Sequence, residues 1–463
     1  MVLLSSCEVD ARAEGRESLN PARALNGRKE MKSFNRRQLI SASAILAVTA
    51  LTATAVPANA FSPKSEVGVS QTEIKLGVTL PMTGLASPGY NKVPAAMKAY
   101  FDYVNANGGV NGRKVTLVVK DDQYVPTQAV AKTNELILKD RVLALVAPLG
   151  TASNKAIAAS VNPGRRGVPV LFVNTGFSGF ADQKKFPTTY AILPSYVMEA
   201  KIMAEYIKDN FAGKSIGLLY QDDDFGSDAI AGFKSAGIKF ATTVGYASGS
   251  QSATTGPGWI TKLKAANCDV VILFGVSSAT AVALGTAAAM KYAPQWILGS
   301  VGGDATTIKA AGVPAGVLYN AVGASFMPAT TDSTDEYVSL FQGIYSKAVP
   351  GSAFDNNVLI GMNTAFVTVQ ALKAAGANPT RKSLLDAIDS KGSTFASAAL
   401  LPLNYSKTSH VGYNGYWFGK YSPTGDLKPD GGKYTLYTTD SGSGAVVKST
   451  WKRPAMPAKG LPN

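Results

Sequence analysis

Residues 74–120 read IKLGVTLPMTGLASPGYNKVPAAMKAYFDYVNANGGVNGRKVTLVVK. A short apolar run from Ile74 to Leu80 is followed by turn residues, and then by apolar side chains at helical spacing over residues 93–106. The Asn- and Gly-rich segment 107–112 ends that helix, and a second strand-like run covers Lys114 to Lys120. The stretch therefore predicts strand, helix and strand in succession, which is the unit of a parallel sheet.

The same alternation continues along the chain, and it restarts once after residues 190–194. It predicts helices at 126–139, 152–161, 197–210, from Ser227, at 260–266 and at 279–291, and strands at 142–147, 168–173, 215–220, 241–246, 270–274 and 295–298. This pattern favours an α/β protein with two doubly wound parallel-sheet lobes, each sheet covered by helices. Ligands of open α/β sheets bind at the carboxyl ends of the strands, so the cleft between the lobes is the predicted site.

Past Leu318 the pattern changes. A strand is predicted at 318–322, helices near 333–347, 356–375 and 381–389, and β-rich, aromatic sequence from Leu400 onward. The late aromatic residues are interpreted as edge strands.

Composition indicates a folded protein without a nucleic-acid partner. The chain has 463 residues, 46% of them apolar, which exceeds the usual size of a single domain of about 150 residues. Its net charge is +14, yet Lys and Arg are scattered along it and form no run. We interpret them as a basic, solvated surface.

Residues 31–60 are typical of an export signal. Basic residues precede an apolar run from Leu39 to Val56, and Ala58-Asn59-Ala60 matches a cleavage pattern. A membrane anchor is the alternative, but the run is mostly Ala, Ser and Thr. Arg36-Arg37 leaves open whether export uses the ordinary or the twin-arginine route. We expect cleavage after Ala60. The mature protein should then lie in the periplasm or on the extracellular face of the membrane. Residues 1–30 are expected to be a leader or a misassigned start.

Cleavage would also remove one of the two cysteines. Cys7 lies in the leader, so Cys268 would remain alone in the mature chain. A lone thiol just before an apolar strand is expected to be buried and free.

Catalytic motifs are largely missing from the sequence. Gly213 to Ser215 is only the end of a P-loop, and no glycine-rich dinucleotide turn follows the first strand. Ser178 lies in a near match to a nucleophile elbow, but its one candidate base is His410, the only histidine. Asp222 to Asp224 are interpreted as residues that start a helix. We therefore expect no enzymatic activity, no metal and no cofactor.

Polar turns at strand ends are the remaining candidates for a site. Thr151 or Ser153 is expected to cap the helix after the third strand and to leave backbone amides free for an anion. Similar turns follow at 174–178 and 221–225. The alternative at residues 151–153 is an ordinary helix cap.

Several motifs occur in an order that carries a resemblance. They are Ile74 to Gly84, Val104 to Arg113 (VNANGGVNGR), Asp121 with Pro126, Thr151-Ala152-Ser153, Val168-Pro169-Val170 and Asp224-Phe225-Gly226. In this order they resemble the branched-chain amino-acid (Leu/Ile/Val) type of periplasmic ligand-binding protein of ABC transporters. The resemblance runs from about residue 73 to about residue 425, and VNANGGVNGR is its most specific part.

The resemblance implies a type I periplasmic binding protein with a three-strand hinge. Lobe I is expected at 73–193 and 322–402, and lobe II at 194–321 and 403–463. Such a protein, expected to be a monomer, would capture a small polar or carboxylated solute, an amino acid or related compound, by closing its lobes. It would then deliver the solute to a membrane permease.

The resemblance also implies which residues bind the ligand. Thr151, Ala152 and Ser153 would hold a carboxylate, Gly176 and Phe177 would flank an amino group, Tyr90 would wall the cleft and Phe225 would cover it from lobe II, with Tyr196, Ser277 and Ser300 completing the set. Amino-acid-binding relatives place a carboxylate against the ligand ammonium where this chain has Gly299 to Gly303. An ammonium here would therefore need Asp304 or Asp224.

Two other functions remain open at this point. A sensor subunit could use the same fold, although such domains are usually fused to a membrane span, and no apolar run of ~20 residues follows Ala60. An exported enzyme is the other alternative, but the sequence offers it no evident base, nucleophile or metal cluster.

Overall fold

The computed structural model describes residues 66–462. The predicted leader, export signal, cleavage position and Cys7 lie outside the described residues. Within them the chain is an α/β protein, which confirms the predicted fold class.

The described chain forms two sheets. Their strands are β1 Glu73–Leu80, β2 Lys114–Asp121, β3 Ala144–Val146, β4 Val170–Val173, β5 Thr189–Ala191, β6 Ile216–Gln221, β7 Thr242–Tyr246, β8 Val270–Phe274, β9 Gln295–Leu298, β10 Val322–Ser325, β11 Gly415–Tyr421, β12 Leu427–Pro429, β13 Tyr437–Thr438 and β14 Val447–Lys448.

Helices connect most of these strands. They are α1 Val93–Ala106, α2 Pro126–Leu138, α3 Thr151–Ala156, α4 Tyr196–Asn210, α5 Asp224–Ser235, α6 Gly256–Ala265, α7 Ser277–Ala289, α8 Ala305–Ala310, α9 Ala315–Leu318, α10 Glu336–Ala348, α11 Asn356–Ala374 and α12 Arg381–Lys391. The helix α3 continues as a π-helical turn over Ile157–Val161.

The first sheet, with its helices, is called lobe I below. Its five parallel strands run in the order β2-β1-β3-β4-β5. Leu76 and Val78 of β1 belong to the apolar cluster that includes α1. Gly77 lies on the opposite face, where a Cβ atom would come within 3.0 Å of Leu136 on α2. Both faces are therefore covered, as a buried parallel sheet requires.

The second sheet, with its helices, is called lobe II. Its path is β14-β13-β11-β10-β9-β8-β6-β7, with β12 paired to β11. The strands β6 to β10 pair in parallel, whereas β11 runs antiparallel to β10. The strand β8 is buried along its whole length, so it forms the centre of this lobe.

The chain passes between the lobes three times, at residues 192–195, 326–335 and 392–414. The middle passage brings α10, α11 and α12 to lobe I, where α11 packs along α1. This long helix is buried over most of its surface. The three connections place the carboxyl ends of both sets of parallel strands beside the same cleft.

Two details differ from the sequence-based expectation. The strand predicted at 318–322 is wrong in position, because Pro314 starts the short helix α9 and Asn320, at φ 64°, turns the chain before β10 begins at Val322. This strand also pairs in the second sheet rather than with lobe I. The end of the chain returns to lobe I, where Tyr100 donates a hydrogen bond to Gly460 O at 2.7 Å.

Cys268 is buried and free, as predicted. In residues 66–462 the structure contains no helix that is both long enough and apolar enough to cross a bilayer.

A buried lysine ties α4 to the late part of the chain. Lys201 is only 6% exposed, and its ammonium donates to the carbonyls of Asp440, Gly442 and Gly444 at 2.7 to 3.0 Å and to the Asp440 carboxylate at 3.2 Å. One side chain thus holds the whole turn 440–444.

Replacing this ammonium should loosen the turn. We expect Lys201→Met to lower the free energy of unfolding by about 2 kcal/mol, because it removes several charge-assisted hydrogen bonds at once. Urea unfolding measures the effect. Lys208→Met is the control on the same helix, since Lys208 is exposed and pairs only with Glu205. Equal losses in the two variants would contradict this role for Lys201.

Candidate functional site

A small cavity lies where the carboxyl ends of the two sheets meet. Its volume is about 20 Å³, little more than one water molecule needs. The residues that line it are Tyr90, Tyr124, Leu149, Gly150, Asn174 and Leu193 from lobe I and its first connection, and Tyr196, Phe225, Val276 and Val301 from the lobe II side. None of these ten side chains carries a charge, and four of them are aromatic.

Three of the predicted site residues line this cavity, namely Tyr90, Tyr196 and Phe225. The other seven do not line it, although other residues of the same turns do. Gly150 lines it in place of Thr151, and Val276 and Val301 line it beside Ser277 and Ser300.

The turn at residues 150–154 is organised by a glycine. Gly150, at φ 98°, is the N-cap of α3, and the Asn154 side chain bonds back to Gly150 O at 2.8 Å. The expected capping by Thr151 or Ser153 is therefore wrong. The Thr151 hydroxyl instead bonds the Thr175 hydroxyl at 2.6 Å, which joins the turns after β3 and β4. The amides of residues 151–153 precede the first intrahelical bond, from Asn154 N to Gly150 O.

Gly176 and Phe177 support the cavity from outside. A Cβ atom on Gly176 would lie 2.9 Å from the Tyr196 ring, so only glycine lets that ring approach. Phe177 packs edge-on against Phe180, with ring centroids 5.3 Å apart, and the ammonium of Lys155 lies 5.3 Å from its ring centre. Phe177 is thus a residue of the cleft rim.

Aromatic rings form the lobe II wall. The Tyr196 and Phe225 centroids are 4.2 Å apart, and Phe225 also packs on Phe274 at 5.1 Å. Asp223 fixes Phe225, because its carboxylate accepts the Phe225 amide at 2.9 Å as the N-cap of α5. The interpretation of these acidic residues as the start of a helix is confirmed.

Ser277 and Ser300 are both hydrogen-bonded within the protein. The Ser277 hydroxyl donates to Val301 O at 3.4 Å, and Tyr90 donates to the same carbonyl from lobe I at 3.0 Å. Ser300 donates its amide and its hydroxyl to Glu199 at 2.5 and 3.0 Å.

Sequence reasoning missed a polar network at one end of the cavity. Gln221 donates to the Tyr124 hydroxyl at 3.3 Å and to Asp223 at 2.8 Å. Tyr246 donates to Gln221 Oε1 at 3.3 Å and accepts the Val276 amide at 3.1 Å. Gln221 lay in a turn that the sequence had marked, but nothing in the sequence indicated that Tyr124 and Tyr246 would meet it.

Further bonds between the lobes surround the cavity. Ser178 of lobe I donates its amide and its hydroxyl to Asp228 of α5 at 2.6 and 2.9 Å. Lys155 of α3 pairs with Asp224 of α5. Together with the bond from Tyr90 to Val301, these contacts hold the cleft closed.

Asp304 joins the starts of two helices on the far side of the cleft. It caps α8 by accepting the Thr307 amide at 2.7 Å, and it accepts the Asn356 amide at the start of α11 at 3.1 Å. Asp304 and Asp224 are therefore both engaged in contacts within the protein.

The two residues that could serve a serine hydrolase, Ser178 and His410, are not arranged for catalysis. Ser178 is bonded to Asp228, as described above. His410 is 4% exposed, stacks on Tyr190 with ring centroids 3.8 Å apart, and faces the Thr189 carbonyl at 3.0 Å. Burial lowers the pKa of His410, while Asp389, whose Oδ1 lies 3.4 Å from His410 Nε2, opposes that shift.

The Ser178–Asp228 contact generates a prediction about closure. Asp228→Ala removes both hydrogen bonds to Ser178, each worth about 1.5 to 3 kcal/mol when the acceptor is charged, and should shift the solute-free protein toward an open form. Small-angle scattering should then show a larger radius of gyration. Asp222→Ala is the control, since Asp222 is exposed in the same turn. An unchanged radius in Asp228→Ala would contradict the proposed role of this contact.

Glu199 is a buried carboxylate that forms no salt bridge within residues 66–462. It is 1% exposed, and burial raises its pKa to about 7, while the hydrogen bonds from Ser300 partly oppose that rise. A carboxyl whose pKa is raised on folding stabilises the protein fully below its ordinary value of 4.5. That contribution is lost as the pH rises through 7.

Glu199→Gln should remove this dependence on pH. The amide keeps an acceptor for the Ser300 amide but cannot ionise. Between pH 4.5 and 8 the free energy of unfolding of the parent should fall relative to the variant, by at most roughly 3 kcal/mol. Chemical unfolding across that range measures the difference, with the exposed Glu205→Gln on the same helix as control. Parallel pH profiles for parent and Glu199→Gln would show that Glu199 does not titrate there.

Comparisons with known proteins agree with this architecture. The family model described as "Periplasmic binding protein" matches residues 73–426. The Leu/Ile/Val-binding protein homolog 3 of Brucella melitensis is 26% identical over 377 residues, which cover 80% of this chain and 92% of that protein.

Two solved structures show the same fold. The branched-chain amino acid transporter substrate-binding protein LivJ of Streptococcus pneumoniae, in complex with isoleucine, superposes with a TM-score of 0.66 at 16% identity, over 82% of this chain and 100% of that one. A solute-binding protein of an ABC transporter from Rhodopseudomonas palustris, in complex with 3,4-dihydroxybenzoic acid, gives 0.64 at 19% identity, over 77% of this chain and 95% of that one.

The family match covers most of the chain, from β1 to β11, and leaves out β12, β13 and β14 of lobe II. Proteins of this family bind solutes and are not enzymes. This chain is accordingly a binding protein rather than an enzyme. The chain belongs to the periplasmic binding protein family and has its type I fold.

Proposed function

We propose that this chain is the exported solute-binding protein of an ABC transporter, which captures a small polar or carboxylated solute and delivers it to a membrane permease. The observation that carries the proposal is the cavity at the carboxyl ends of two parallel sheets, closed by hydrogen bonds that cross between the lobes. Such a cleft opens to admit a solute and closes over it.

Closure would be controlled by contacts of moderate strength. Ser178 with Asp228, Tyr90 with Val301, and Tyr124 with Gln221 all cross the cleft and would all break on opening. Hydrogen bonds of this kind contribute about 1 kcal/mol each when neutral and more when charged. A solute that touches both lobes would favour the closed form, because those contacts exist only there.

A carboxylate is the solute group that the cavity suits best. Its wall carries no acidic side chain that would repel an anion, and the amides of residues 151–153 start a helix beside it. Isoleucine and 3,4-dihydroxybenzoic acid, the ligands of the two solved structures above, both contain a carboxylate. An amino acid or a related compound therefore fits the proposal.

One experiment on protein purified from the periplasm tests export and binding together. The intact mass should correspond to a chain that begins at Phe61, and denaturation should release a small co-purified molecule. Adding that molecule back should reduce the radius of gyration. At a hundred times its dissociation constant it should stabilise the folded protein against unfolding by about 2.7 kcal/mol, measured as a higher melting temperature.

A variant of the cavity wall provides the matched comparison. Asn174→Ala removes a polar side chain that lines the cavity and should weaken binding about tenfold. Asn210→Ala, an exposed site at the end of α4, should leave the affinity unchanged. A purified protein without a releasable solute, and without compaction by any metabolite pool, would contradict the proposed function.

A further inference from the structure

We propose that Tyr124 is the specificity-determining residue of the solute site: its ring is a fixed wall that limits solute size, and its hydroxyl, with Gln221, receives an uncharged oxygen of the solute. This inference rests on the proposed solute-binding function. It adds the solute class, which is a compact molecule with a hydroxyl or carbonyl group at the end that meets Tyr124.

The position of Tyr124 in the closed cleft is the first argument. Its side chain lines the cavity from lobe I, and Gln221 of lobe II donates to its hydroxyl at 3.3 Å. With this ring in place the cavity measures only about 20 Å³. A solute must therefore enter between Tyr124 and lobe II and break the bond to Gln221.

The loop that carries Tyr124 is held in an unfavourable backbone conformation. Gln123 and Tyr124 follow one another at φ 55° and 63°, in the left-handed region that costs residues with a Cβ atom about 1 kcal/mol or more each. Two such residues in succession persist only where the surroundings fix them.

Two neighbouring carboxylates, one of them buried, supply that fixation. Asp122 is completely buried, and its two oxygens accept the Tyr124 amide at 2.9 Å and the Thr79 hydroxyl at 2.8 Å. Asp121 accepts the Gln123 amide at 2.9 Å. The ring of Tyr124 is thus fixed from its backbone and does not swing aside easily.

The facing turn leaves space for the ring. Gly150 has φ 98°, and a Cβ atom there would lie 2.6 Å from the Tyr124 ring. A side chain at position 150 would therefore displace Tyr124 from the cavity. This turn of lobe I therefore fits the aromatic ring.

The chemistry at this end of the cavity determines the solute group. Gln221 and Tyr246 are neutral, and the two oxygens of Asp223 already accept Gln221 Nε2 at 2.8 Å and the Phe225 amide at 2.9 Å. Once Tyr124 and Gln221 separate, one N–H of Gln221 loses its acceptor and the Tyr124 hydroxyl loses the donor that it accepts from. A hydroxyl or carbonyl oxygen of the solute can accept from the Gln221 amide and from the Tyr124 hydroxyl, whereas an apolar end bonds neither group.

The test compares Tyr124→Gly with Gln123→Gly. Both variants place glycine at a positive φ, which relieves the same strain, but only the first removes the ring. Calorimetric titration with sodium benzoate, 4-hydroxybenzoate, 3-phenylpropanoate and 3-(4-hydroxyphenyl)propanoate gives the affinities. In Tyr124→Gly, the affinity for each phenylpropanoate divided by the affinity for the corresponding benzoate should rise by about tenfold. Gln123→Gly should keep the parent ratio.

Tyr124→Phe tests the hydroxyl separately. This variant keeps the ring, so the ratio of affinities for the longer and the shorter acid should not change. The affinity for each hydroxylated acid should fall relative to that for the acid without the hydroxyl. Ratios are used because a general loss of stability lowers both affinities alike.

A size ratio in Tyr124→Gly equal to that of the parent would overturn the inference, and so would the failure of all four acids to bind to either protein. The proposed function would stand in both cases if the parent still released a co-purified solute and compacted around it. An absence of solute and compaction would remove the function and the inference together.

Discussion

The contact between Tyr196 and Gly176 sets the geometry of the cleft. The Tyr196 amide donates to Gly176 O at 2.8 Å, and the Tyr196 ring lies so close that any Cβ atom on Gly176 would collide with it or with Pro194 O, 2.4 Å away. Because Tyr196 is the first residue of α4, this contact joins the turn after β4 to the first connection between the lobes. Phe225 packs on the Tyr196 ring and brings the start of α5 to the same point. The cavity opens beside this junction, so its walls are fixed by it.

Acidic side chains around the cleft hold the backbone in place. Asp223 caps α5, Asp304 accepts the Asn356 amide, and Glu199 accepts the Ser300 amide. A buried carboxylate without partners would cost several kcal/mol, and each of these three accepts backbone amides. The residues that fix the backbone around the cavity are therefore acidic, while the side chains that line the cavity are uncharged. A charged solute would meet amide groups, hydroxyls and aromatic faces there.

The sequence predicts the architecture well because strand and helix periodicity report which faces are buried. It locates β1, α1 and β2 almost to the residue, and it marks the turns after β3, β4 and β6 as the place of the site. It does not predict which side chain of a turn faces the cavity. At Thr151 the outcome depends on the positive φ of Gly150, and at Ser300 on Glu199, which is 101 positions away in the chain. Tyr124 depends in the same way on Asp122, whose burial is a tertiary property.

A closed cleft whose cavity measures only about 20 Å³ limits the energetics of binding. The hydrogen bonds that cross the cleft stabilise the closed form even without a solute. The contacts of a solute therefore need to supply only the rest of the free energy of closure. If these bonds were much stronger, the cleft would seldom open and solute entry would be slow. If they were absent, few molecules would be closed at any time, and the apparent affinity for the solute would fall in proportion to that fraction. Bonds of about 1 kcal/mol, such as those of Tyr90 and Tyr124, lie between these limits. Since the bond from Gln221 to Tyr124 must break for a solute to enter, a solute that replaces it with an equivalent bond loses nothing there. A solute that cannot replace it leaves the Gln221 amide and the Tyr124 hydroxyl without partners.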